Sequence, residues 1–197
     1  MCSTYPSSLG LHPALYFYSR SGVFQPQALL AFIQFFKTFD TEEFKQFARV
    51  RGEFEEFMMR HRGITEAVRK LGSGSRSRPR VVQLYSRVFA ELGNGTKLAS
   101  IVETLAKSED FGFLFEDEDR DVPVVDDNHG TPFKRDTKGA AFLRDALPTA
   151  LRCKTCGGLM HKNSIQTGHQ KAKREGGKGQ LDNSIMQHPF CNSTFRQ

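Results

Sequence analysis

Tryptophan is absent from this 197-residue chain, and cysteine occurs only four times. No window approaches 18 continuous apolar residues, which argues against a membrane-spanning helix. The opening run, MCSTYPSSLG, lacks a basic stretch leading into an apolar core, so no secretory signal is expected and a cytoplasmic protein is the default. So few cysteines, two of them in C-x-x-C, fit a metal site better than a secreted disulfide framework. The G-x-x-x-x-G-K-[ST] spacing of a phosphate-binding loop is also missing, even from the Gly/Ser/Arg run GSGSRSRPR at 72–80, and no nucleotide site is assigned. Acidic residues are scarce at the C-terminus, where 151–197 holds eight Lys/Arg against two Asp/Glu.

What is present is phenylalanine, 18 in all, and an uneven charge. The net charge is +6, yet 108–127 carries nine acids and one arginine. A basic tail behind an acidic stretch points to a polyanion-binding module, with nucleic acid as the expected partner. A solvated basic surface is the plainer alternative.

Ala14 to Tyr18 reads as a short strand or packed extended segment. From Pro26 the apolar period becomes helical through Leu29, Leu30, Ile33 and Phe36. Asp40-Thr-Glu-Glu marks a second helix start, followed by Phe44, Phe47, Phe54, Phe57 and Met58, a stripe read as core. Residues 72–80 read as a loop, 81–92 and 96–107 as further helices, and 139–147 as a short one. Residues 1–107 are thus a mostly helical domain, with 108–138 an acidic linker.

The last 45 residues carry the chemistry. Cys153 and Cys156 form a C-x-x-C knuckle closed by two glycines, and His188 and Cys191 repeat the two-residue spacing. Four N or S donors in two tight pairs are what a structural Zn²⁺ needs. His161 is a rival fourth ligand. With few apolar residues nearby, the metal would supply much of the folding free energy.

Between the pairs lie Ile165-Gln-Thr-Gly-His169, Gly176-Gly177 and Asn183, and Cys191 is followed by Asn192. In this order the run resembles the HNH (ββα-metal, His-Me finger) endonucleases. The resemblance implies an α+β protein in which a mostly α-helical N-terminal domain precedes a small zinc-stabilised ββα-metal module over 139–197. It implies His169 as the general base that activates water, a task suited to a neutral imidazole. Asn183 would hold the loop that orients His169. Asn192 would bind a catalytic divalent cation, Mg²⁺ or another, on the scissile phosphate of double-stranded DNA. Lys171, Lys173, Arg174 and Lys178 would contact flanking phosphates. The family commonly places Asp, Glu or His before the catalytic histidine as a second metal ligand, and this chain has Gly168; Glu175 or Asp182 could substitute. Residues 9–75 resemble, more loosely, the region preceding the HNH module in prokaryotic restriction and defence proteins that also carry a ParB-like domain. That likeness implies restriction or phage defence, with the helical domain positioning DNA or a protein partner. The alternative is a non-catalytic zinc module that binds nucleic acid or protein, its metal centre degenerate at Gly168.

Overall fold

The computed structural model describes residues 2–64, 74–115 and 132–195, without side chains at 75–77. The fold is α+β: among the described residues helices dominate, with one two-stranded sheet. Residues 116–131, which hold most of the acidic run, and residues 65–73 lie outside the described residues. Among the described residues no helix is long and apolar enough to cross a membrane.

Two compact units divide the chain, one from Ala14 to Thr149 and one joining the N-terminal residues up to Pro13 with those from Ala150 on. The sequence-based boundaries at 107 and 138 do not coincide with this division, for reasons visible on each side. The helical unit takes in residues past 138 because Gly139 sits against the backbone carbonyl of Ser21, where a Cβ would collide. Leu143, one turn further on, contacts the space beside Gly22, which adopts φ +78°.

In the helical unit, a four-residue turn of helix α1 (Pro13–Tyr16) stands where an extended segment was expected. Only Tyr18 pairs in β fashion, with Phe24. Helix α2 (Pro26–Phe36) starts on proline but buries Ala28, Ala31, Phe32 and Phe35. The expected face is displaced, since Leu30 and Ile33 are exposed. Two stripes at helical spacing compete there, and the one carrying two fully enclosed phenyl rings removes more apolar area from water.

Helix α3 (Thr41–Arg60) opens on a capping box. The Asp40 carboxylate accepts from the Glu42 and Glu43 N–H groups at 2.8 and 2.9 Å, and the Asp40 N–H donates to Glu43 at 2.8 Å. Such a cap contributes about 1 kcal/mol. Helix α4 (Gly74–Gly93) begins inside the segment expected to be a loop. Pro79 lies in its second turn, where it forfeits little of the hydrogen-bond ladder. Arg78 is tied to Gln27 of α2 at 3.1 Å. Helices α5 (Leu98–Ala106) and α6 (Arg135–Thr149) complete the unit, with a 3₁₀ turn at Gly112–Leu114 under which Phe111 is buried.

Phe32, Phe35, Phe47, Phe54 and Tyr85 form the centre, in stacked and edge-on pairs such as Phe32–Tyr85 at 4.5 Å. Arg51 is buried with Glu55, which accepts from Arg51 Nε at 2.7 Å and from the Tyr16 hydroxyl at 2.9 Å. The paired charges satisfy each other, and removing one alone would strand the other. The Tyr85 hydroxyl has no hydrogen-bond partner among the described residues, and burial pushes its pKa well above the usual phenol range. Tyr85→Phe is therefore expected to leave stability unchanged or raise it by about 1 kcal/mol, because the unpaired hydroxyl carries only a desolvation cost. A urea midpoint lowered in that variant would show that the hydroxyl has a partner.

The second unit is built around strand β1 (Gln166–His169) and strand β2 (Ser184–Gln187), antiparallel, with Gln166 opposite Gln187 and His169 opposite Ser184. Helix α7 (Pro189–Thr194) follows β2 and packs on β1.

Candidate metal centre and its neighbourhood

The knuckle forms because Gly157 adopts φ +69°, a left-handed conformation that glycine takes without strain. The chain can then turn back, with Cys153 N–H donating to the Gly158 carbonyl and Gly157 N–H to that of Cys153, each at 2.9 Å. Cys153 and Cys156 thereby face the start of α7. Pro189 at its first turn fixes the entry, so His188 and Cys191 project from one short element.

The donor atoms of Cys153, Cys156, His188 and Cys191 lie within 4.8 Å of one another, and all four residues are buried. A tetrahedral zinc with Zn–S near 2.3 Å sets ligand–ligand edges of about 3.8 Å. The donor set, three soft sulfurs and one imidazole, suits that ion. His188 Nε2 faces the Leu159 carbonyl at 3.0 Å, an acceptor only, so Nε2 carries the proton. Nδ1 is left facing Cys156 Sγ at 3.3 Å, as a ligand nitrogen. The His188 N–H also points at Cys153 Sγ, at 3.4 Å, which favours a thiolate there. Hydrogen bonds from Cys156 and Cys191 hold the Cys153 thiol far below its usual pKa range, and the same contacts push Cys191 far up. The residues fit a structural metal such as zinc, which would hold all three sulfurs as thiolates.

His161, the rival ligand, lies outside the cluster and approaches Cys2 Sγ with its Nδ1 at 3.3 Å. That contact is part of a feature the sequence did not disclose, the wrapping of this unit by the first dozen residues. Phe190 N–H donates to the Ser8 carbonyl at 3.0 Å, Ser193 Oγ to that of Pro6 at 2.8 Å, and Gln166 Nε2 to that of Thr4 at 2.8 Å. Leu9 and Leu11 are buried. Gly10, at φ +65°, rests on the ligand ring, where a Cβ would stand 2.5 Å from His188 Cδ2. Gly10→Val is expected to destabilise this unit by about 1–3 kcal/mol through overpacking and backbone strain. A wild-type melting profile with normal zinc retention in that variant would remove the N-terminal segment from the metal's support.

The remaining sequence-predicted residues fall along β1, the loop after it and α7. His169 ends β1 and is half-buried, and its imidazole makes no hydrogen bond to a described residue. Asn183 clamps the 171–178 loop: its Oδ1 accepts from Lys171 N–H at 2.6 Å, and its Nδ2 donates to the Lys171 and Lys178 carbonyls at 3.1 and 2.8 Å. Gly176, at φ +83°, and Gly177, pressed on the Lys171 carbonyl, shape that loop. Lys171, Lys173, Arg174 and Lys178 are all exposed. Glu175 lies 3.7 Å from Arg174, and Asp182 is exposed in a 3₁₀ turn.

Asn192 donates through Nδ2 to Gln166 Oε1 at 2.9 Å. Its Oδ1 faces Gly168, 2.9 Å from where a Cβ would stand there. The Gln187 side chain fills the same space, its Oε1 being the atom nearest to that Cβ position. Gln187 has no motif to announce it, and only the missing side chain at 168 reveals its role in the packing.

The chain matches no family model, no curated protein and no solved structure.

Proposed function

We propose that the zinc-cluster unit is a metal-dependent HNH-type endonuclease that hydrolyses phosphodiester bonds in DNA. The observation that carries this reading is the His169 imidazole. It is half-buried, free of hydrogen bonds to described residues, and followed at once by a loop whose four cationic side chains are exposed. In such a setting His169 takes a proton from water as the water oxygen attacks phosphorus. The P–O3′ bond breaks, and the 3′ oxygen acquires a proton from solvent, leaving 5′-phosphate and 3′-hydroxyl ends. A divalent cation held by Asn192 would offset charge on the phosphate and stabilise the departing oxygen. Asn183 fixes the backbone that follows His169, and the lysines hold flanking phosphates. The likeness of residues 9–75 to restriction and defence proteins gives the biological setting, with the helical unit positioning DNA or a protein partner.

One observation favours a second reading. Gly168 offers no acidic ligand, as expected of a zinc module that binds nucleic acid without cutting it. The two separate when purified protein is incubated with plasmid, single-stranded DNA and RNA under Mg²⁺, Mn²⁺, Ni²⁺ or EDTA. Scission of DNA that requires a divalent ion supports the nuclease. Salt-sensitive binding with no scission under any ion supports the binding module.

A further inference from the structure

The side chain missing at residue 168 leaves a space that two open oxygens share. A Cβ there would meet only Gln187 Oε1 and Cδ and Asn192 Oδ1 as its nearest neighbours. Both amide nitrogens are engaged elsewhere: Asn192 Nδ2 with Gln166, and Gln187 Nε2 with the Thr155 hydroxyl. The orientation of Asn192 follows from a backbone group. The Thr4 carbonyl can only accept, so Gln166 presents Nε2 to it and Oε1 to Asn192, which must answer with its own Nδ2. Neither Asn192 Oδ1 nor Gln187 Oε1 accepts a hydrogen bond from a described residue. Two amide oxygens thus face the one small space beside Gly168.

We infer that Gln187 Oε1 and Asn192 Oδ1 together bind the catalytic divalent cation, with Gln187 standing in for the acid that Gly168 lacks. Carboxamide oxygens are ordinary ligands for hard cations such as Mg²⁺, Mn²⁺ and Ca²⁺. Being neutral, they hold the ion less tightly than a carboxylate and leave it a higher effective charge for the phosphate. Thr155 lies between Cys153 and Cys156, so the zinc knuckle also positions Gln187. The inference rests on the nuclease reading.

The test is Mn²⁺ binding to the full zinc-loaded chain, followed by electron paramagnetic resonance of the free ion, with zinc content and melting temperature measured alongside. Wild type is expected to bind Mn²⁺ at one site. Gln187→Met, which keeps length but removes the oxygen, should weaken that binding at least about tenfold, as should Asn192→Ala. Gln187→Glu should tighten it, because a carboxylate replaces a neutral donor. Gly168→Asp combined with Gln187→Ala should restore it. Folding is controlled by one zinc per chain and a cooperative melting transition in every variant. If Gln187→Met and Gln187→Glu bind Mn²⁺ as wild type does while Asn192→Ala loses it, Gln187 is no ligand and the nuclease reading stands. If wild type binds no Mn²⁺ and cuts no DNA, the nuclease reading fails and the inference with it.

Discussion

Cys191→Ser is expected to release zinc and unfold the unit that contains β1, β2 and α7. That unit has little else to hold it. Among the described residues its buried apolar side chains amount to Leu9, Leu11, Leu159, Met160, Ala172 and Pro189, apart from the cysteines themselves. Its sheet has two strands of four residues each, and α7 has six residues, too short to persist alone. Structural zinc sites of this type supply about 10–16 kcal/mol of apparent binding free energy, which is folding free energy when the site does not pre-exist. Losing one of four ligands is therefore expected to abolish the unit's cooperative unfolding transition, and EDTA treatment of wild type should do the same. The helical unit, in which no metal-holding cluster occurs among the described residues, should keep its own transition. Zinc stoichiometry and a thermal scan check this together. A Cys191→Ser chain that retains one zinc and melts as wild type does would contradict it.

The second large effect concerns His169. His169→Ala is expected to lower the cleavage rate by about 10²–10⁴-fold, the usual contribution of a positioned general base. The imidazole makes no hydrogen bond to a described residue, so the substitution breaks no structural contact of that kind. Zinc content, melting temperature and affinity for plasmid should all remain those of wild type. Added imidazole should recover part of the lost rate by entering the space the side chain vacates. A variant that loses affinity and zinc in step with activity would instead make His169 a structural residue.

These expectations draw on parts of the molecule that differ in how openly the sequence states them. The metal cluster was legible because metal coordination restricts residue type and spacing: C-x-x-C and H-x-x-C bring four donors together. Asn183 was legible as a loop-holding residue only through a resemblance, since an asparagine that clamps backbone groups at Lys171 and Lys178 has no spacing rule of its own. The wrapping of the zinc unit by residues 2–12 was not legible. Its bonds run from side chains and N–H groups to the carbonyls of Thr4, Pro6 and Ser8, which every residue possesses. Likewise the period in α2 fitted two faces, and only packing against α4 selected Phe32 and Phe35 over Leu30 and Ile33. Gln187 was hidden for a further reason: its significance lies in an absence at Gly168, across the sheet, that one-dimensional spacing does not measure.

The measurement closest to the central claim is plasmid nicking in Mg²⁺ by wild type and His169→Ala, purified in parallel with zinc assayed in both. The account predicts one zinc per chain in each preparation, and nicking by wild type that stops when the Mg²⁺ is chelated. It predicts little or no nicking by the variant. Equal nicking by the two proteins, or none by zinc-loaded wild type under any divalent ion, would contradict it.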